Sequence, residues 1–310
     1  MKVIDILKSS QKTLFSFEIL PPMKGKGLDT VCSFIDPLME FKPSFINITS
    51  HREQIDQNNN RVRLRPGTVA ISASIQHKYD IEVVPHILCG GFTRKETEYV
   101  LIDLNFLGIQ NILALRGDQM KIETQYKPEP DGNEFASQLV TQAMEMNKGK
   151  YLDDAEPQTS AMTNFCCGVA GYPEKHSDAV SFAVDMQNLK KKVDAGAEYI
   201  ITQMFFDNKV YFDFVRKCRE AGIDVPVIPG IKPLAQKNQI DILPKLFRID
   251  FPQDLKNAIN ACSDDDAARQ VGTEWCVMQA KELQKHNVPS IHLFTYGIVK
   301  QAGEVCRQLF

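Results

Sequence analysis

A single carboxylate lies inside an apolar segment near the start of the chain. Glu18 belongs to LFSFEILPP, which Pro21 and Pro22 close. Burial disfavours the charged form of a carboxyl group, so Glu18 is either a paired or neutralised core group or a poised acid with a raised pKa. Because an unpaired buried Glu is rare as a purely structural group, we favour the functional interpretation, in which Glu18 is a poised acid.

Polar side chains also end other apolar segments. Asp118 closes NILALRGD behind Arg116 and Gly117, and glycine permits the positive φ of a turn that faces a ligand. The alternative is a surface turn in which Arg116 and Asp118 pair locally. Three more polar residues at such ends are Thr49, His86 and Gln203. Each of these residues alone is at least as typical of a hydrogen bond within the core as of a ligand contact. Together they form a ring of mostly neutral donors and acceptors, which suits a planar heteroaromatic ligand.

A further set of polar residues lies between residues 168 and 204. Tyr172 and His176 follow an apolar segment, and Asp185, Asn188 and Lys192 are spaced i, i+3 and i+7 on one face of the next helix. A solvated outer face is the alternative for these three residues. We expect no metal site, since neither His-x-His, H-E-x-x-H nor an acidic cluster at ligand spacing occurs, and the acids at 264–266 are more typical of a helix start.

The elements that must position these residues alternate between strands and helices. Eight segments rich in Val, Ile and Phe are predicted strands, at 14–20, 45–50, 81–88, 111–117, 165–171, 199–205, 225–231 and 290–296. Helices are predicted at 28–41, 67–79, 93–107, 134–148, 178–195, 208–221, 236–248, 252–286 and 298–309. Thr93 with Glu96, and Ser177, are predicted helix caps.

This alternation predicts an α/β protein with a single (β/α)8 TIM-type barrel, whose active site lies at the carboxyl ends of the strands. A doubly wound sheet is the main competitor, but no dinucleotide fingerprint or phosphate loop follows any strand. We predict one domain over residues 1–310, with insertions near 119–160 and 252–286.

Composition bounds the partners and the compartment. The 310 residues are 43% hydrophobic, and 36 Lys and Arg against 39 Asp and Glu leave a net charge of −3. We therefore expect no nucleic-acid or membrane partner. The eight cysteines contain no C-x-x-C pair, which predicts reduced, buried thiols in a cytoplasmic protein.

Several blocks resemble one family, the short bacterial type of methylenetetrahydrofolate reductase. They are FSFEILPP, ILALRGD, GYPEKH, KKKVDAGAEYIITQMFFD and PGIKPL, in the family's order from residue 15 to about 234. The resemblance implies a flavin-binding barrel that uses NAD(P)H and noncovalent FAD to reduce 5,10-methylenetetrahydrofolate, supplying a methyl group for methionine synthesis. A homo-oligomer is expected.

The resemblance also implies roles for individual residues. Glu18 matches the general acid, and Asp118 matches a second catalytic group beside the flavin and the folate. Positions that match FAD contacts are Thr49, His86, Arg116, Gly117, Asp118, Ala136, Ala170, Tyr172, His176, Ala179, Asp185, Asn188 and Lys192. Positions that match folate contacts are Asp118, Gln203 and Gln239, while Thr49 and Gln203 also match nicotinamide contacts.

The chain departs from the family pattern at four places. The last strand reads Phe-Thr-Tyr-Gly-Ile from residue 294 and lacks a folate-contacting Arg, and Leu243 replaces an aromatic residue. The 119–133 loop is longer, and Ser50-His51-Arg52 replaces an aromatic-Gly pair. Two rival functions are a lyase or aldolase that uses Lys232 as a Schiff-base amine, and a folate-binding or methyl-carrying protein without a redox step.

Overall fold

The computed structural model describes residues 1–58, 60–120, 123, 125–152, 162–296 and 298–310. Its strands are β1 (Leu14–Ile19), β2 (Phe45–Ile48), β3 (Gln54–Ile55), β4 (Arg61–Val62), β5 (Val83–Leu88), β6 (Asn111–Leu115), β7 (Cys166–Gly171), β8 (Tyr199–Thr202), β9 (Val227–Ile228), β10 (Gly230–Ile231) and β11 (Ser290–Phe294). Its helices are α1 (Val3–Ser9), α2 (Leu28–Met39), α3 (Thr68–Tyr79), α4 (Arg94–Phe106), α5 (Ala136–Met146), α6 (Phe182–Asp194), α7 (Asn208–Glu220), α8 (Gln239–Phe247), α9 (Gln253–Asn260), α10 (Asp265–Lys285) and α11 (Val299–Arg307).

Nine of these strands form one parallel sheet in the order β10-β11-β1-β2-β5-β6-β7-β8-β9. β9 and β10 are two halves of one segment, separated by Pro229, which has no N–H to donate to a ladder. The carbonyl of Pro229 still accepts from the His292 N–H at 2.9 Å, so the sheet closes across this segment. The eight predicted strands are confirmed, and with them the (β/α)8 TIM-type barrel.

The amino end of the barrel is filled by apolar side chains and closed by a short helix. Val3, Ile4 and Leu7 of α1 pack against strand residues that include Phe45 and Tyr199. The N–H of Val3 donates to Oδ1 of Asn111 at 2.7 Å, which fixes this helix on the barrel. The carboxyl end is the end at which a barrel of this kind builds its site.

The outer helices confirm two predicted caps and correct one. Thr93 and Glu96 form a capping box at α4, and Asp264 caps α10. The cap predicted at Ser177 was wrong, because α6 begins only at Phe182 and its cap is Ser181, whose hydroxyl accepts from a backbone N–H. Residues 177–180 belong to the loop after β7 instead.

The two predicted insertions differ in what the structure describes. The 252–286 segment forms α9 and α10, which share an apolar cluster with α8 and with Met204 and Phe206 after β8. The other insertion lies partly outside the described residues, at 121, 122, 124 and 153–161. An antiparallel pair, β3–β4, was not predicted. That residues 1–310 form one domain stays a prediction.

The cysteines are free thiols, and all are buried except the half-buried Cys262. Cys166 packs in the barrel interior and Cys167 in the outer core, as expected for neighbours on a strand. Across the described ranges, no helix is long and apolar enough to cross a membrane.

Candidate active site

A polar layer fills the barrel interior at the carboxyl ends of β1, β2, β5 and β11. The Glu18 carboxylate lies 3.8 Å from Nε2 of His292 and 4.0 Å from Nε2 of His86. Ser16 Oγ lies 3.0 Å from Nδ1 of His292, and Asn47 Nδ2 lies 3.2 Å from Nε2 of His86. Ser16, Asn47 and His292 were not predicted. The alternation of side chains along a strand could have indicated them. Ser16 points to the same face of β1 as Glu18, and His292 lies opposite Ser16 where β1 pairs with β11.

The protonation expected for Glu18 was wrong for the ligand-free protein. Burial alone raises the pKa of Glu18, but the nearby imidazole of His292 and the basic groups His86 and Lys232 outweigh it and lower this pKa below 4.5. Glu18 is therefore a carboxylate at neutral pH. The apolar strand suggested the burial but not the basic neighbours, which come from other strands.

His86 is uncharged at neutral pH. Burial lowers the pKa of His86 to about 4, against the opposing attraction of Glu18.

A cavity of about 660 Å³ opens beside this layer. It is lined by Thr49 and His86 at the strand ends, by Leu88, and by the segment that leads into α3. This volume is within the usual range for cofactor sites. The Thr49 hydroxyl oxygen is buried and has no hydrogen-bond partner. A buried polar atom without a partner is costly, so this hydroxyl is available to a ligand.

The end of β6 confirms the turn predicted at Gly117, which has a φ of +87°. The local pair considered for Arg116 and Asp118 is not formed, because Arg116 binds Asp178 at 2.6 Å instead. Asp118 is exposed at the rim, where its carboxylate can face a ligand.

The loop after β7 and the start of α6 form one hydrogen-bonded unit. Asp185 accepts from the His176 N–H at 2.8 Å, and Lys192 Nζ donates to the Ala170 carbonyl at 2.6 Å. The rings of Tyr172 and His176 meet edge to face at 4.5 Å. Burial lowers the pKa of Lys192 to about 8, although Asp185 opposes this. Asp185 and Lys192 therefore face the barrel end rather than solvent.

The remaining predicted contacts are less uniform. Ala136 is buried at the start of α5, Ala179 lies in the loop after β7, and Asn188 is exposed on α6. Gln203 follows β8, and its side-chain oxygen accepts from the next backbone N–H. Gln239 begins α8, where its side-chain oxygen accepts from Ala235 and Gln236, so only its amide nitrogen is left for a ligand.

Two departures from the family pattern contact each other. Arg52, from the altered end of β2, makes a bidentate pair with Glu123 of the long loop at 3.1 Å, and its guanidinium also donates to the Asp118 carbonyl. The ring of Tyr126 lies under both Arg52 and Arg116, at 5.7 and 4.5 Å. The long loop is thus anchored beside Asp118. Leu243 is buried among apolar side chains, and Gly297 lies outside the described residues.

Among the residues that the structure describes, no group of three or more His, Cys, Asp or Glu side chains could hold a metal ion.

Comparisons with known proteins identify the family of the chain. The family model for methylenetetrahydrofolate reductase matches residues 2–310. The chain is 30% identical to methylenetetrahydrofolate reductase (NADH) 1 of Arabidopsis thaliana over 97% of this chain and 50% of that protein. It is 31% identical to 5,10-methylenetetrahydrofolate reductase of Escherichia coli over 95% of this chain and 90% of that protein.

The chain spans about half the length of the plant and nematode relatives that it matches. A solved structure from Clostridium thermocellum, described as binding two copies of 5-methyl-5,6,7,8-tetrahydrofolic acid, aligns over 98% of both chains with a TM-score of 0.57 and 12% identity. That likeness shows the fold alone. The family model and the bacterial relative show more, and this chain belongs to the methylenetetrahydrofolate reductase family.

Proposed function

We propose that this chain reduces 5,10-methylenetetrahydrofolate to 5-methyltetrahydrofolate, with NAD(P)H as the electron donor and noncovalent FAD as the cofactor. The observation that carries the proposal is the position of Glu18. In a chain of this family, Glu18 is the carboxylate of a polar layer at the carboxyl end of the barrel, beside a cavity of cofactor size.

The residues that line this cavity, together with those at the ends of β6 and β7, fit a flavin dinucleotide. The unpartnered Thr49 hydroxyl and the neutral imidazole of His86 provide hydrogen-bonding groups for a polar ring edge. Buried Nε of Arg116 also has no partner. Lys192 and His176 are the basic groups of the β7 end that would meet the diphosphate.

When bound, FAD supplies the two-electron hydride chemistry that side chains lack. Glu18 supplies the proton: it protonates N10 of the folate, the bond from N10 to the methylene carbon breaks, and a 5-iminium cation forms on the substrate. Asp118 stabilises that cation with its negative charge and binds the amino-pyrimidine edge of the pterin. Gln203, after β8, contacts the folate and the nicotinamide in turn.

This role requires a proton on a group that is ionised in the ligand-free protein. A pterin that fills the site displaces water, and desolvation favours the neutral acid over the carboxylate. Binding of the substrate is therefore the step at which Glu18 becomes protonated. The free cysteines suit a cytoplasmic enzyme, and we expect a homo-oligomer, which sedimentation velocity tests.

The visible spectrum of the purified protein tests the proposal most cheaply. We expect a yellow protein that releases FAD on denaturation, is bleached by NADH or NADPH, and regains colour with 5,10-methylenetetrahydrofolate. The product should be 5-methyltetrahydrofolate in equal amount to the nicotinamide oxidised.

A colourless protein that does not take up FAD would overturn the proposal. Borohydride trapping of a carbonyl substrate on Lys232 would then support a lyase. Binding of 5-methyltetrahydrofolate by the colourless protein, without any oxidation of the nicotinamide, would support a methyl carrier.

A further inference from the structure

Lys232 is a buried cation directly after β10, and only 7% of its surface is exposed. Both β10 and β1 pair with β11, and this shared register places Ile231 level with Phe17. One residue further on, Lys232 reaches the level of Glu18. Because Ile231 packs in the outer core, alternation along the strand turns Lys232 towards the barrel interior.

The surroundings of Lys232 leave its charge weakly compensated. Its Nζ lies 3.5 Å from the Tyr296 carbonyl, a long hydrogen bond. Burial lowers the pKa of Lys232 to about 8, and the attraction of Glu18 is the main opposing effect. A buried cation is costly unless it is paired, so the Glu18 carboxylate is its natural partner.

The other titratable groups near this corner come from β5, β11 and α10. His86 is neutral at pH 7, and His292 is engaged by Ser16 through Nδ1. Burial raises the pKa of the Cys276 thiol, so this thiol is also neutral. Lys232 therefore holds a proton that it gives up close to physiological pH, at the same level of the barrel as a carboxylate that has lost its own.

We propose that Lys232 is a positioning residue that supplies Glu18 with the proton consumed when the folate ring opens. This inference rests on the proposed function. When the pterin displaces water, one N–H bond of the Lys232 ammonium breaks and an O–H bond forms on Glu18, which leaves a neutral amine and a neutral acid. Glu18 then passes the proton to N10, and Lys232 takes a new proton from solvent after the product leaves.

The proposal explains how an acid with a lowered pKa works at neutral pH. The active state is the Lys232–Glu18 pair holding one shared ionisable proton, on either group. The enzyme loses activity only when this one proton leaves the pair, and the pH at which it leaves is set by the deprotonation of Lys232. Folate reduction should then be steady up to about pH 8 and fall about tenfold per pH unit above it.

The test measures the two half-reactions separately in the FAD-loaded enzyme between pH 6 and pH 9.5. Lys232→Arg keeps the positive charge but cannot give up a proton, and Lys232→Met removes both. We expect recolouring of the reduced flavin by methylenetetrahydrofolate to slow about tenfold or more at pH 7.5 in both variants. The steady rate below about pH 8 should be lost, because the protonated fraction of Glu18 alone falls with rising pH over the whole range, while bleaching by the nicotinamide is unchanged. Lys245→Arg, at an exposed lysine on α8, is the matched control.

An arginine variant with the wild-type pH profile would show that charge alone matters and would overturn the inference. If neither variant folds, the wild type still decides: a folate half-reaction without a decline between pH 7.5 and 9 also overturns it. Failure of the proposed function looks different, because the wild-type reduced flavin would then not be recoloured by methylenetetrahydrofolate at any pH.

Discussion

The Arg52–Glu123 pair is predicted to be the anchor that holds the long 119–133 loop beside the site. Its two contacts are both 3.1 Å, and the side chains are only 8% and 11% exposed. Removal of one partner leaves the other charge buried, which typically costs about 3 to 5 kcal/mol. Glu123→Ala should therefore lower the free energy of unfolding by about 3 kcal/mol.

A double-mutant cycle measured by urea unfolding tests this magnitude. Arg52→Met and Glu123→Ala should each be costly, and the double variant should cost about 2 kcal/mol less than their sum. Glu129→Ala is the matched control, because its partner Arg61 is 54% exposed and such pairs contribute about 0 to 1 kcal/mol. Single-variant costs below about 1 kcal/mol that simply add would refute the reasoning.

Three further outcomes are expected. FAD affinity should fall above about pH 8, since the diphosphate favours the protonated form of Lys192, and titration of Lys192→Met should show weaker binding without that fall. Gly272→Ala should lower the free energy of unfolding, measured by thermal denaturation, by about 1 to 3 kcal/mol, because the new Cβ would lie 2.3 Å from the Leu234 carbonyl oxygen. Gly27→Ala is the control and should change this free energy little, because its Cβ would meet no atom within 4 Å. Burial raises the pKa of Glu174 from 4.5 to about 7. The contribution of Glu174 to the free energy of unfolding is therefore fully present below pH 4.5 and is lost as the pH rises through 7. In denaturant titrations between pH 5 and pH 8, the free energy of unfolding of Glu174→Gln should rise relative to that of the wild type by about 1 to 2 kcal/mol, a value already reduced for solvent screening.

The barrel was predictable because strands buried on both faces have a strong local signal. Runs such as FINI at 45–48 or VVPHIL at 83–88 are mostly apolar and buried at every position, as strands of a parallel sheet are. The cap at α4 was equally local, since Thr93 and Glu96 are three residues apart. Ser177 misled because a loop serine has the same composition signal as a cap, and only the packing of the β7 loop decides where α6 begins.

The candidate site was predictable as a set of strand ends but not as an electrostatic environment. Glu18 could be located from its own strand, whereas its lowered pKa depends on His292 and Lys232, more than 200 residues away in the sequence. The same holds for Arg52 and Glu123, which are 71 positions apart. Contacts of this kind follow from the closure of the barrel, which no local pattern encodes.

The central claim is that Glu18 delivers the proton that opens the folate ring, and Glu18→Gln tests it most directly. Glutamine keeps the volume and the hydrogen-bonding reach but cannot deliver a proton. In stopped-flow measurements, bleaching of the flavin by the nicotinamide should persist within roughly tenfold, while recolouring by methylenetetrahydrofolate should fall by about 10² or more. Recolouring at the wild-type rate in this variant would contradict the account.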